Sequence, residues 1–215
     1  MKRRKRKLNL LVTAGPTYEP VDPVRFISNY STGFFGYEIA REAGRRGHRV
    51  ILISGPTALA KPQGLRSIDV FTARQMGEEL QDKFNWCDCL IMTAAVCDFR
   101  PEKTAKKKIK RKKGGIVLSL KQNPDILGGL GRKKGKKMLV GFALETEDLK
   151  KNAQDKLRQK NLDLIVATQM KASKRPFGQV RIDALIMDRK GRAEKIKRAT
   201  KKRLSGILLE RIEKM

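Results

Sequence analysis

The segment GYEIAREAGRRGHRVILIS (36–54) contains one complete step from a helix to a strand. Its small and apolar residues recur at the spacing of one helix face up to Gly47, which is placed to end the helix. Residues 49–54 then form an apolar run of strand length. An earlier run of the same kind, LNLLVT (8–13), precedes the segment. A strand, a helix and a strand in this order predict a parallel βαβ unit.

The same alternation continues to the end of the chain. Apolar runs predict further strands near residues 67–71, 87–93, 116–120, 138–143 and 163–168, with helices after Thr72, after an Asn123 cap with Pro124 in the first turn, and over 148–160. Residues 181–187 and 192–197 flank a turn and predict an antiparallel hairpin, which a final helix follows. We therefore expect an α/β fold with a doubly wound, mostly parallel sheet and a C-terminal antiparallel hairpin.

The charge of the chain is unusually positive. Fifty Lys and Arg residues stand against 22 Asp and Glu residues, which gives a net charge of +28. Two tracts concentrate the charge, residues 2–7 and residues 103–113. Such a footprint is expected of a basic α/β protein that binds RNA or the ribosome, and this remains the alternative function. The small number of aromatic residues, eight Phe, three Tyr and one Trp, argues against nucleic-acid binding, because single-stranded bases stack on exposed rings.

The apolar and cysteine content favours the cytoplasm. No run approaches the roughly 18 uncharged apolar residues of a membrane-spanning helix. Cys87, Cys89 and Cys97 are odd in number and clustered, so reduced thiols are expected rather than a disulfide framework. His48 is the only histidine and is expected at the surface.

Ligands of a doubly wound sheet bind beyond the carboxyl ends of its strands, and polar or glycine-rich stretches follow several of these strands here. Neither the dinucleotide fingerprint G-x-G-x-x-G nor the phosphate-binding G-x-x-x-x-G-K-[ST] is present, which disfavours a standard dehydrogenase or kinase of those types. Residues 28–36, SNYSTGFFG, instead place hydroxyls, an amide and glycines before a helix. Such a helix start can bind an anion.

The run VTAGPTYEPVDPVRFISNYSTGFFG (12–36) resembles the nucleotide-binding opening of the phosphopantothenoylcysteine synthetases (phosphopantothenate–cysteine ligases). The resemblance continues in order through LISGPTAL (52–59), TAAVCDFRP (93–101), KIKR (108–111), NPDIL (123–127), VGFALET (140–146) and KLRQKNLDLIVA (156–167). It implies a Rossmann-like fold, with residues 1–7 as a basic tail and residues 8–215 as a single nucleotide-binding synthetase domain.

The same resemblance implies a reaction. A ligase of the bacterial, CTP-dependent type joins 4′-phosphopantothenate to cysteine through an acyl-cytidylate intermediate in coenzyme A biosynthesis, with Mg²⁺ and with CTP as co-substrate. The family is homodimeric, and a separate decarboxylase is expected to act on the product. No flavin is expected, because the sequence lacks the flavin-dependent decarboxylase that many bacteria fuse ahead of this region.

Individual residues take roles from the resemblance. Lys108 matches the catalytic lysine, on a flap at residues 101–113, and Asn29 matches the catalytic amide that orients the acyl intermediate. Arg25 is expected to bind substrate as an anion partner. The positions expected to contact the nucleotide are Gly15, Ser31, Gly33, Ala94, Ala95, Asp98, Lys108, Asn123, Pro124, Asp125, Ile126, Phe142, Lys156 and Lys160. No metal ligand is assigned.

The hairpin at 181–197 bears on assembly. Its first strand is more apolar than an exposed edge strand should be, so something must cover it. Either a second copy of the chain or the C-terminal helix of the same chain could do so.

Two departures from the family pattern, Pro16 and Phe34, bear on substrate affinity.

Overall fold

The computed structural model describes residues 6–111, 114–170 and 175–215. Most of the expected basic tail, residues 1–5, and two residues of the expected flap, 112–113, lie outside the described residues. The elements are β1 (Asn9–Ala14), β2 (Tyr18–Pro20), β3 (Phe26–Ser28), α1 (Phe34–Arg45), β4 (Arg49–Ser54), β5 (Arg66–Asp69), α2 (Ala73–Phe84), β6 (Cys89–Met92), β7 (Phe99–Pro101), β8 (Leu120–Gln122), α3 (Ile126–Arg132), β9 (Met138–Glu145), α4 (Leu149–Gln159), β10 (Leu164–Gln169), β11 (Ile182–Asp188), β12 (Ala193–Ala199) and α5 (Lys201–Ile212).

Eight of these strands form one sheet in the order β12-β11-β10-β9-β6-β1-β4-β5. Six of them, β10, β9, β6, β1, β4 and β5 in sheet order, run parallel, and β11 and β12 are antiparallel to their neighbours. Numbered along the chain, the parallel strands follow the order 3-2-1-4-5-6 of the Rossmann fold. The expected α/β fold with its C-terminal antiparallel hairpin is confirmed.

Helices cover both faces of the sheet because its central strands are apolar on both sides. Leu10 and Val12 of β1 pack with α1 and α5 on one face, whereas Leu11 packs with α2, α3 and α4 on the other. Alternate residues of β4 and β6 divide between the two faces in the same way. This is the pattern of buried parallel strands, which read as continuous apolar runs.

The apolar hairpin at 181–197 is covered by its own chain. Ile182 and Ile186 of β11 pack on the face that carries α5, and Leu185 and Met187 pack on the face that carries α4. The outer strand β12 is mostly exposed and charged, as edge strands commonly are. The hairpin therefore does not require a second copy of the chain.

The prediction of a strand at residues 116–120 is wrong. Only Leu120 belongs to a strand there, the short β8, which pairs with β7 outside the main sheet. The reason is that β6 pairs directly with β9, so no place remains between them in the sheet. Val117 is 95% exposed as a result.

His48 is buried, so its expected surface position is also wrong. Its Nδ1 accepts a hydrogen bond from the Leu8 backbone N–H at 3.2 Å, which leaves the ring proton on Nε2, 3.2 Å from Glu213 Oε1. The imidazole thus joins the chain before β1 to the end of α5.

In the described part of the chain, no helix has the length and apolarity to cross a lipid bilayer.

Candidate functional site

The site begins where β1 and β6 end, at the switch in strand order. Ala95 N–H donates to Gly15 O at 2.9 Å, and Thr17 N–H donates to Ala95 O at 3.3 Å. Gly15 has φ of +76°, and a Cβ there would lie 2.9 Å from Gly55 O. The chain after β1 can therefore pass this close to the Gly55 backbone only because position 15 is glycine.

A cleft of about 980 Å³ opens beside this crossing. It is lined by eleven of the expected site residues: Asn29, Ala94, Ala95, Asp98, Asn123, Pro124, Asp125, Ile126, Phe142, Lys156 and Lys160. These residues come from the loop after β3, the end of β6, the start of α3, β9 and α4. The sheet topology therefore brings distant stretches of the sequence to one cleft.

Asn29 is held by the end of β6. Its Nδ2 donates to Ala95 O at 3.2 Å and to Val96 O at 3.1 Å. Two carbonyl acceptors fix the amide orientation, because the opposite orientation would set oxygen against oxygen. Both donors are thereby used, and the side-chain oxygen is left to accept a hydrogen bond from a ligand.

The sequence predicted that Asn123 caps α3, and this prediction is wrong. Asn123 instead holds the wall of the cleft. Its Nδ2 donates to Cys97 O at 2.8 Å, and its Oδ1 accepts from Arg100 Nη1 at 2.6 Å. Asp125 is the N-cap instead, accepting from the Gly128 N–H at 3.0 Å. An aspartate is an equally good cap, and the competing bonds to Asn123 decide between the two.

Lys156 of α4 and Lys160 at its C-cap are each paired with a carboxylate. Lys156 Nζ lies 2.7 Å from Glu145 Oε1, and Lys160 Nζ lies 2.9 Å from Asp125 Oδ1. Burial raises the pKa of Asp125, but the Gly128 N–H and the Lys160 ammonium outweigh it, so the pKa lies below its usual value. Sequence reasoning missed Glu145, although it lies within the quoted run VGFALET at the end of β9.

A second cavity of about 210 Å³ adjoins the cleft and shares Ala94, Ala95 and Phe142 with it. Ser31 and Gly33 line it at the start of α1. Gly15 lines neither cavity. It lies under Gly33, where an added Cβ would be 3.3 Å from the Gly15 Cα.

Lys108 and Arg25 lie apart from the two cavities. Lys108 is exposed and lines neither of them. Arg25 Nη2 donates to Asp22 Oδ2 and to Ile109 O, both at 2.6 Å, and the Ile109 N–H donates to Asp22 Oδ2 at 3.0 Å. Arg25 thus fastens the Lys108 segment to the turn between β2 and β3 in this arrangement, rather than facing the cleft.

Asp22 is the centre of this fastening, and sequence reasoning missed it. The Ile109 N–H is the main reason that the pKa of the Asp22 carboxyl falls to about 2, and the N–H groups of Val24 and Arg25 add to it, while burial opposes it. The signal was present in Asp22-Pro23, since an aspartate followed by proline is typical of a turn whose backbone the carboxylate caps.

The family model of the DNA/pantothenate metabolism flavoprotein C-terminal domain matches residues 5–215. The chain belongs to this family. A relative in this flavoprotein family, the coenzyme A biosynthesis bifunctional protein CoaBC of Bacillus subtilis (strain 168), is 48% identical over 171 residues, which are 79% of this chain and 42% of the relative. A cysteine/cysteine sulfinic acid decarboxylase of an unknown prokaryotic organism is 42% identical over 94% of this chain and 57% of its own length.

A solved structure agrees with the family assignment. The crystal structure of the C-terminal domain of a CoaBC protein superposes with a TM-score of 0.83 at 37% identity, covering 96% of this chain and 94% of that chain. The chain spans about half the length of the curated relatives it matches.

Asp22→Asn is expected to free the Lys108 segment. The amide keeps one acceptor oxygen and loses the charge, so the Ile109 and Arg25 bonds weaken and trypsin should cut between Lys106 and Arg111 on the order of 10-fold faster. Mass spectrometry of a timed digest measures this. Asp82→Asn, at an exposed aspartate of α2, is the matched control and should digest like the wild type.

The wild-type protein should show the same release in acid. Because the pKa of Asp22 is about 2 in the folded protein and near 3.8 ordinarily, its stabilising contribution is complete above pH 4 and is lost as the pH falls towards 2. The protection of the Ile109 amide against hydrogen exchange should fall over that range. Unchanged protection at pH 2, in protein that remains folded, would contradict the assigned role of Asp22.

Proposed function

We propose that this chain is a phosphopantothenate–cysteine ligase. The carboxylate of 4′-phosphopantothenate attacks the α-phosphorus of CTP, and the bond to the β-phosphate breaks, releasing pyrophosphate. The cysteine amine then attacks the acyl carbon, CMP leaves, and the amine gives up a proton. The observation that carries this proposal is the cleft at the switch point of the sheet, which is lined by eleven residues expected from the family resemblance.

The first step needs positive charge, because an anion attacks a polyanion. Lys156 and Lys160 supply it inside the cleft. Their carboxylate partners hold the two ammonium groups in place, and a phosphate could compete for either. A lysine–phosphate contact at 4 Å is worth about 4 kcal/mol at an effective dielectric of 20.

Lys108 is assigned to the α-phosphate during activation. In the present arrangement it lies outside the lining of the cleft, so the proposal requires its segment to move from the Asp22 anchor towards the nucleotide. Lysine suits this task because its charge sits at the end of a long, flexible side chain.

Asn29 is assigned to the second step. Both of its amide protons are bound to carbonyls in the stretch after β6, so its oxygen can accept a hydrogen bond from the incoming amine beside Ala94 and Ala95. This narrows the role expected from the sequence, in which the amide would also have donated to the acyl oxygen.

Mg²⁺ is proposed to enter with the nucleotide. In the described ranges no group of three or more His, Cys, Asp or Glu side chains could hold a metal ion. Mg²⁺ ordinarily keeps several waters and binds substrate phosphates with one or two carboxylates. The exposed Asp98 carboxylate at the cleft fits that limited part. When bound, the ion would reduce the charge of the triphosphate.

Homodimerisation is also proposed, through a surface other than the C-terminal hairpin. Large apolar side chains are exposed on the β2–β3 and β7–β8 hairpins and the stretch before β8: Val24, Phe26, Phe99, Ile116, Val117, Leu118 and Leu120. The two hairpins contact each other through β2 and β7. Several large apolar side chains exposed on neighbouring elements are typical of a protein interface.

Mixing the protein with 4′-phosphopantothenate, cysteine, magnesium and each nucleoside triphosphate should release pyrophosphate, with CTP preferred as in the bacterial type. Coupled detection of pyrophosphate and mass spectrometry of the amide product measure the two steps. No pyrophosphate with any nucleotide would overturn the ligase. A preference for ATP would overturn only the choice of nucleotide.

Lys108→Ala and Asn29→Asp should fail at different steps. Loss of one electrostatic contact to the transferring phosphorus should slow pyrophosphate release on the order of 100-fold in Lys108→Ala. Asn29→Asp should release pyrophosphate but accumulate acyl cytidylate in the presence of cysteine. Lys106→Ala, at an exposed lysine of the same tract, is the control. Equal loss of pyrophosphate release in both test variants would show that the two roles are wrongly assigned.

Light scattering at micromolar concentration should report about twice the 24.4 kDa mass of one chain. The double variant Val24→Asp/Val117→Asp should report one chain, because buried unpaired carboxylates are costly at an apolar interface. Met215→Asp, at an exposed apolar residue of the C-terminus, should remain dimeric. A wild-type mass near 24.4 kDa would count against the dimer.

A further inference from the structure

Among the described residues, Lys201, the first residue of α5, is a buried cation without a counter-charge. The residue is 6% exposed, and its Nζ donates to Pro176 O at 2.7 Å and to Gly178 O at 2.8 Å. Both partners are neutral carbonyls. Within the parts of the chain that the structure describes, the ammonium forms no ion pair.

Lys134 shows what a structural buried lysine looks like in the same protein. It is also 6% exposed, but its Nζ lies 2.6 Å from Asp163 Oδ2. Buried lysines are ordinarily paired in this way, because an unpaired charge is costly in a low-dielectric interior. The arrangement at Lys201 is therefore one that an incoming anion would complete.

Lys201 faces a cavity that is suited to an anion. It lines the second cavity, and among the described residues of that lining it is the only charged side chain. The lining also contains the hydroxyls of Ser31, Thr32, Thr93 and Thr168 and the start of α1, whose N-cap Gly33 offers no side-chain cap. The positive end of that helix dipole adds to the potential of the ammonium.

Burial lowers the pKa of Lys201 to about 8. Charged residues on the described elements around it are solvent-exposed, among them Arg175 on the segment that supplies the two carbonyls, Asp183 on β11, and Lys202 on α5. A bound anion would favour the charged ammonium and raise the pKa, so binding above pH 8 should take up a proton.

We propose that Lys201 binds a phosphoryl group of a substrate in the second cavity. The ammonium has three protons, and two are used by Pro176 and Gly178, so the third is free for a phosphoryl oxygen. The inference rests on the proposed ligase function, which supplies two sources of this chemistry: the triphosphate of the nucleotide and the phosphate of 4′-phosphopantothenate.

The first experiment titrates the protein with inorganic pyrophosphate in a calorimeter, without other substrates. Lys201→Met keeps the length of the side chain and removes its charge, so the affinity should fall roughly 10- to 100-fold. Lys202→Met makes the same change at the neighbouring exposed position and should bind like the wild type. Equal affinity in the wild type and Lys201→Met overturns the proposal.

Proton uptake separates a phosphoryl contact from support of the 175–178 segment. Titrations at pH 8.5 in buffers of different ionisation enthalpy count the protons taken up, and the proton exchange of pyrophosphate itself cancels in the difference between two proteins. The wild type should take up more protons than Lys201→Arg, because arginine stays charged at this pH. Lys201→Arg should still bind, which keeps the test decisive if the methionine variant fails to fold. No difference in uptake overturns the proposal.

Four ligands then identify the source of the phosphoryl group. The loss of affinity in Lys201→Met should appear with CTP but not cytidine if the nucleotide is the source, and with 4′-phosphopantothenate but not pantothenate if the other substrate is. Lys201-dependent binding of pyrophosphate, with neither substrate bound by the wild type, would leave the site standing and overturn the ligase function.

Discussion

Two backbone hydrogen bonds between Gly15 or Thr17 and Ala95 continue the pairing of β1 and β6 beyond their last ladder residues. The cleft and the second cavity both lie beside this join. The chain leaves β1 towards one side of the sheet and leaves β6 towards the other, so the two exits form the floor of a crevice between them. Asn29 is fastened to the β6 exit, and Gly33 rests on the β1 exit. A shift of this join would displace both cavities together.

The electrostatics of the site follow from where carboxylates are placed and where they are withheld. Lys156 and Lys160 have carboxylate partners at the cleft, the buried Lys134 is paired with Asp163, and Arg25 is paired with Asp22. The cavity at the start of α1 has a cation and a helix N-terminus, and the described residues of its lining include no acidic side chain. With a chain net charge of +28, cations are plentiful, and the scarce acidic residues decide which of them are neutralised.

Much of the fold could be predicted from the sequence because its central strands are buried on both faces. Such strands appear in the sequence as unbroken apolar runs. The same rule failed at Ile116–Leu120, because an apolar run forms a buried strand only where the sheet has a free position beside another strand. No feature of the sequence of β6 or β9 indicates that these two strands pair directly. Most of the cleft residues were found through resemblance to a family. Lys201 and Asp22 were not, because one looks like a surface lysine of a helix start and the other like a turn residue until their partners are known.

The buried imidazole of His48 has a consequence for how the ends of the chain are used. It contacts the backbone of Leu8, just before β1, and the carboxylate of Glu213, just after α5, so these two parts of the chain lie beside each other. That place is the amino edge of the sheet, whereas the cavities lie at the carboxyl edge. A peptide that joined the end of α5 to Leu8 would therefore span a short distance on the side of the sheet opposite the cavities, and circular permutation favours ends that lie together in this way.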